Sequence, residues 1–222
     1  MSNSLFLTKD GSHSLFSSKF GVSYHSKYGA IQETQHVFIN AALRLKALHQ
    51  SDIHIMDIGF GTGLNAYMTL LAAGNRNLRI HYTAIEAFPI PYEMAELLNY
   101  SELLNTPALH ELFLSMHKAP WSQLISFRED FQFIKHPIRF EEIEFSDQFD
   151  IIYFDAFAPN SQPELWDELV LEKMYKALKT EGILVTYCAK GVVKRTLKKI
   201  GFEVESLKGP PGKREMTRAI KT

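Results

Sequence analysis

Apolar positions along this chain alternate between two patterns. Short continuous runs at residues 53–58, 78–86, 124–127, 149–154 and 183–188 read as buried strands, and 202–207 and 215–220 add two more. Between them the apolar residues recur every three or four positions, the spacing of a helix face. Residues 32–49 carry such a stripe through Val37, Ala41, Ala42, Leu45 and Leu48, and 64–73, 165–178 and 190–200 carry others. Gly74 and the polar Asn75-Arg76-Asn77 close the second of these. Pro89 and Pro91 start a helix near Tyr92, since proline suits a first helical turn, and 100–116 continues helically with a break at Thr106-Pro107. The opening residues differ: 5–7 and 14–17 read as two short strands of a hairpin, punctuated by Gly11, Gly21 and Gly29.

Strand and helix alternating in this way predict an α/β fold, a mostly parallel sheet with helices on both faces. The last two strands are joined only by residues 208–213, too short for a crossover helix, so they run antiparallel. The expectation is a Rossmann-like seven-stranded sheet with one antiparallel strand. Residues 1–31 form a small N-terminal extension and 32–222 the main domain.

Composition narrows this. A chain of 222 residues, 45% hydrophobic, buries one substantial core and has no room for a second full domain. A single cysteine, Cys188, excludes an internal disulfide or a thiolate cluster, and its apolar strand context makes it structural. Residues 1–20 lack the features of a signal peptide and no apolar stretch approaches membrane-spanning length, so a soluble, cytoplasmic protein with no membrane partner is expected. No His, Asp or Glu spacing suggests a metal site. The net charge of −1 conceals an asymmetry: residues 171–222 hold 13 Lys and Arg against 5 Asp and Glu, and residues 1–170 hold 11 against 20. The basic quarter is either a patch that meets a polyanion or a set of solvated helix faces.

The candidate chemistry starts where the first strand of the main sheet meets Gly59, Gly61 and Gly63. A strand, a glycine turn and a helix N-terminus together make a ligand-binding half-unit in doubly wound folds. A dinucleotide fingerprint would put its third glycine at 64, which is Leu64. Asp57-x-Gly59-x-Gly61-x-Gly63 instead resembles motif I of class I S-adenosylmethionine-dependent methyltransferases. Acids at strand ends then become candidates, because ligands lie across the carboxyl ends of such sheets. Asp57 braces the glycine loop, Glu86 accepts the ribose hydroxyls, Asp130 accepts from the adenine amino group, and Asp155 faces the sulfonium and the acceptor.

Several segments resemble one family within that class. They are residues 28–38 (Tyr-Gly-Ala-Ile-Gln-Glu-Thr-Gln-His-Val-Phe), 59–65, Asp155-Ala-Phe-Ala-Pro159, Trp166, residues 187–195 and Lys213-Arg-Glu-Met216. Together they are similar to the MnmC-type methyltransferases over roughly residues 24–220. The resemblance implies methyl transfer from S-adenosylmethionine to the amine of 5-aminomethyl-(2-thio)uridine at the tRNA wobble position. It implies cofactor contacts from Glu33, Asp57, Gly59, Gly61, Thr62, Gly63, Asn65, Glu86, Asp130, Asp155 and Ala156, with Asp155 as the catalytic group. Phe157 and Tyr187 are implied to meet the base, and Lys190, Lys194, Arg195, Lys213 and Arg214 the anticodon stem-loop. His36 either edges the cofactor or is a hydrogen-bonded structural residue. Many family members are fused to a flavin-dependent oxidase; here the sequence stops at Thr222, so that oxidase is expected to be absent, a separate partner, or unnecessary. Two departures are Asp57 for a usual Glu and Lys194 for an expected Arg. Competing readings are a small-molecule N- or O-methyltransferase, an aminopropyltransferase, and a non-enzymatic RNA-binding protein with a vestigial pocket.

Overall fold

The computed structural model describes residues 3–74 and 77–222. The chain opens with a three-stranded antiparallel meander, β1 (Ser4–Leu7), β2 (His13–Ser17) and β3 (Val22–Ser23). A helical segment follows as α1 (Ala30–Thr34), a stretch of wider turns at Gln35–Leu43, and α2 (Arg44–Lys46). In the wide stretch the Arg44 N–H reaches the Ile39 carbonyl, five residues back. Then come β4 (Asp52–Ile58), α3 (Leu64–Gly74), β5 (Arg79–Ile85), α4 (Tyr92–Glu96), α5 (Tyr100–Leu103) and α6 (His110–Lys118). Asn75 and Arg76, part of the expected stop after α3, lie outside the described residues. The order continues with β6 (Ile125–Arg128), β7 (Phe131–His136), β8 (Phe149–Phe154), α7 (Glu168–Ala177), β9 (Leu178–Thr186), α8 (Gly191–Ile200), β10 (Phe202–Lys208) and β11 (Glu215–Lys221).

The eight main strands form one sheet in the order β10-β11-β9-β8-β4-β5-β7-β6. From β9 to β7 neighbours are parallel, while β11 runs against both its neighbours and β6 runs against β7. Alternate side chains of the central strands feed two cores. Ile53, Ile55, Tyr82 and Tyr153 pack under the N-terminal helical segment, α3 and α6; Met56, Ile58, Ile152 and Phe154 pack under α7 and α8. Two helix ends are fixed locally. Asp167 Oδ1 accepts the Val170 N–H at 3.0 Å to cap α7, and Gly201 at φ 119° ends α8 in the left-handed conformation.

Three expectations change. The sheet has eight strands rather than seven, and two of them are antiparallel. The third parallel strand is β7, and the run at 124–127 belongs to β6, an extra edge strand. The misreading has a cause: β7 alternates buried Phe131, Phe133 and Lys135 with half-exposed polar and apolar residues, so its apolar run is broken. As a result Asp130 stands before the third parallel strand. Its carbonyl accepts the N–H of Ile80 at the start of β5, and its carboxylate is paired with Arg128. That is the amino edge of the sheet, opposite the glycine loop, so Asp130 cannot meet an adenine there.

Candidate active site

At the carboxyl edge β4 ends in the glycine loop, and the loop is tied to both flanking strands. The N–H groups of Gly59 and Phe60 donate to the Ile85 carbonyl, and the Asp155 N–H donates to that of Ile58. Gly59 has φ 93°, and a Cβ there would lie 3.1 Å from the Asp155 carbonyl oxygen. Gly63 has φ 75°, and its Cβ would lie 2.8 Å from His117 Nε2. Both positions need glycine.

The cleft above this loop is lined by Gly59, Gly61, Thr62, Asn65, Glu86, Asp155, Ala156 and Phe157, which the sequence had singled out. Glu86 accepts the Gly61 N–H at 2.9 Å on one oxygen and the Phe88 N–H at 2.7 Å on the other. Burial pushes its carboxyl up from the ordinary range, and these backbone donors oppose the rise. Asn65 organises the reactive end. Its amide nitrogen donates to Asp155 Oδ2 at 2.9 Å and more weakly to Asp57 Oδ1 at 3.4 Å, while its oxygen accepts from the Thr34 hydroxyl. Asp57 and Gly63 lie beneath the cleft rather than in it, with Asp57 fully buried and bonded to the Tyr82 hydroxyl at 2.6 Å. Burial pushes Asp57 up to about 7 despite those hydrogen bonds. Asp155 is pushed well above the carboxylate range by burial first, and then by the charges of Asp57 and Glu33.

A second, basic groove adjoins the cleft, lined by Ala158, Pro159, Tyr187, Lys190, Lys213 and Arg214. The Tyr187 hydroxyl donates to the Ala156 carbonyl at 2.8 Å, linking the groove wall to the loop after β8. Lys213 is not a free surface cation: its ammonium pairs with buried Glu33 and sits 3.7 Å from the Tyr187 ring centroid. Lys194 is also engaged, donating to Glu215 and Ser206, and Lys190 reaches Asn160. Arg195 and Arg214 are exposed. Glu33 lies at the seam between α1 and the loop before β11, and also accepts the Ser26 N–H. His36 donates to the Lys208 carbonyl at 2.7 Å, a structural role.

Four of the cleft residues that sequence reasoning missed bear on its chemistry. Phe20, Tyr24 and His25 of the N-terminal extension form part of its wall, and Phe20 and Tyr24 pack on Phe157 with centroids 5.3 and 5.0 Å apart. His25 shares a hydrogen bond with Ser14, and burial holds it at about 4, so it is neutral near pH 7. The fourth, Glu141, follows the true third parallel strand and lines the cleft where Asp130 was expected. Only correct placement of β7 would have pointed to it.

A glycine loop with little side-chain bulk, an acid closing the second parallel strand, and half-buried Asp155 at the end of the fourth, linked through Asn65 to buried Asp57, make a site for a large cationic nucleoside. These features fit S-adenosylmethionine, and fold and site together define an S-adenosylmethionine-dependent methyltransferase of class I. Residues 128–222 match a family model of such enzymes, described as S-adenosyl-L-methionine-dependent methyltransferase. Within them it is similar to the tRNA 5-methylaminomethyl-2-thiouridine biosynthesis bifunctional protein MnmC. Identity is 33% over 218 residues with the protein of Leptospira interrogans, covering 90% of this chain and 32% of that one. With that of Methylobacillus flagellatus it is 28% over 216 residues, covering 90% and 33%. The crystal structure of MnmC2 from Aquifex aeolicus has a TM-score of 0.77 at 28% identity, over 99% of this chain and 70% of that one. The chain spans about a third of the length of the curated relatives it matches. Among the described residues no helix is long and apolar enough to cross a membrane.

Proposed function

We propose that this chain methylates the primary amine of 5-aminomethyl-(2-thio)uridine at the tRNA wobble position, giving 5-methylaminomethyl-(2-thio)uridine. The observation that carries the proposal is Asp155 in the wall of an acid-lined cleft, next to Ala156, whose carbonyl accepts the hydroxyl of Tyr187 from the basic groove. Residues 32–222 act as the methyltransferase domain, and residues 1–31 as an extension that walls its cleft. The similarity to MnmC proteins supports the choice of acceptor.

When bound, S-adenosylmethionine supplies a methyl group activated by a sulfonium. Glu86 holds the ribose hydroxyls, Glu141 takes the place first given to Asp130 at the adenine end, and Asn65 fixes the Asp155 carboxylate. Asp155 accepts a hydrogen bond from the acceptor amine and aligns its lone pair, so orientation supplies much of the rate. As the new N–C bond forms, Asp155 takes the proton that the nitrogen must lose. Lys213, held by Glu33 and the Tyr187 ring, places a fixed cation beside the groove and so favours the amine in its neutral form. Phe20, Tyr24 and Phe157 keep water from the reacting atoms. Arg195 and Arg214 meet anticodon phosphates, and Tyr187 and Phe157 border the path of the base. The reaction belongs in the cytoplasm, after a separate flavin-dependent oxidase or another route has exposed the amine.

An aminopropyltransferase needs acids to hold a polyamine, and the groove offers Lys190, Lys213 and Arg214 against Glu215. A competition assay separates the readings. With labelled S-adenosylmethionine, label should enter aminomethyl-uridine tRNA and no panel of free amines. With decarboxylated cofactor, putrescine should not react. Label transfer to small amines but not to tRNA would reverse the assignment.

A further inference from the structure

The sheet's amino edge, opposite the cofactor cleft, carries a side-chain cluster that methyl transfer does not use. Asp52 and His54 are two apart on β4 and so share a face, and His81 on β5 is in direct register with His54. The two imidazole rings stack at 4.1 Å with planes 10° apart. Asp52 Oδ1 lies 2.9 Å from His81 Nε2 and 3.7 Å from His54 Nε2, and one ligand atom from each residue lies within 4.8 Å of the others. From this geometry we propose that Asp52, His54 and His81 bind a divalent transition-metal ion of the zinc type.

The distances suit it. Zinc held at about 2.0–2.2 Å by nitrogen and oxygen separates its tetrahedral ligands by about 3.3–3.5 Å, close to the 2.9 and 3.7 Å that Asp52 keeps from His81 and His54. Two imidazoles and one carboxylate are a borderline donor set that selects zinc-like ions over calcium or magnesium. His81 is already oriented: its Nδ1–H donates to Gln132 Oε1 at 2.8 Å, which aims Nε2 at Asp52. The other Asp52 oxygen faces Arg79 at 3.6 Å, leaving Oδ1 for the ion. Side-chain exposures of 50%, 40% and 27% for Asp52, His54 and His81 leave a path in and a fourth position for water. The ion would pin the first two central strands together at their starts.

The test uses the untagged full chain after chelator treatment, titrated with zinc chloride by calorimetry and followed by thermal unfolding. One zinc per chain, an upward shift in melting temperature reversed by EDTA, and loss of both in the His54→Ala/His81→Ala double variant are expected. Gln132→Ala should weaken binding about 10- to 100-fold. Far-UV circular dichroism and S-adenosylmethionine binding report whether each variant is folded. Cobalt-loaded wild-type protein gives a check that needs no variant, because its absorption spectrum should be that of tetrahedral nitrogen and oxygen ligation. Absence of zinc binding, equal binding by the folded double variant, or a thiolate band in the cobalt spectrum would overturn the proposal.

Discussion

Asp57 offers a direct way to measure what the acid cluster costs the fold. It is fully buried beneath the glycine loop, and burial raises its carboxyl from 3.8 to about 7. A carboxyl whose pKa is raised by folding contributes stability below its unfolded pKa, and that stability is lost as pH climbs through the folded one. Once Asp57 is ionised in both states the native fold has lost about 4 kcal/mol to it. Between about pH 5.5 and 8.5 the same linkage gives a loss of about 2 kcal/mol. Asp57→Asn removes the titration while keeping an oxygen for the Tyr82 hydroxyl. Urea unfolding of wild type and variant across that range should show the variant gaining about 2 kcal/mol relative to wild type at the alkaline end. Histidine titrations are common to both proteins and cancel in the difference. A difference that does not change with pH, or that moves against the variant at high pH, would refute the reasoning. Under the proposed function, a cationic cofactor in the cleft would draw the carboxyls beside and beneath it toward their charged form.

Other outcomes follow from the same contacts. Gly63→Ala must accept a positive φ and a Cβ 2.8 Å from His117, so about 2 kcal/mol of stability and most cofactor affinity should be lost, read by thermal unfolding and calorimetry. Lys213→Met strands buried Glu33 and should cost about 3 kcal/mol; adding Glu33→Gln should restore stability but not methyl transfer, which separates pairing from chemistry. Arg195→Ala and Arg214→Ala should each weaken tRNA binding and lower the salt slope of log affinity by about 1, whereas Lys194→Ala, bonded to Glu215 and Ser206, should lower stability more than binding.

Much of this architecture could be read from residue order, and what escaped shares a physical character. Strand–helix alternation and the glycine loop are local signals, so the parallel core and the loop's place in it were legible. The third parallel strand was not, because Lys135 is a buried lysine whose ammonium donates to the carbonyls of Met116 and His117, a tertiary contact that spoils the apolar pattern. That one strand displaced Asp130 and hid Glu141. Lys194 and Lys213 count as free surface charge in a sequence and become ion-paired only when distant segments meet. Phe20, Tyr24 and His25 reach the cleft by the docking of the N-terminal extension, which no period encodes. The pairing of His54 with His81 likewise exists only in the register of two strands.

The central claim is that Asp155 takes the proton of a wobble-uridine amine as that amine is methylated. It is tested most directly by mass spectrometry of nucleosides from tRNA carrying 5-aminomethyl-uridine, incubated with S-adenosylmethionine and either wild type, Asp155→Ala or Asp155→Asn. One methyl gained on that uridine with wild type, and a rate lowered by at least about 100-fold in both variants with cofactor binding retained, is the result predicted here. An unmethylated uridine in the presence of a folded, cofactor-binding wild-type protein would contradict it.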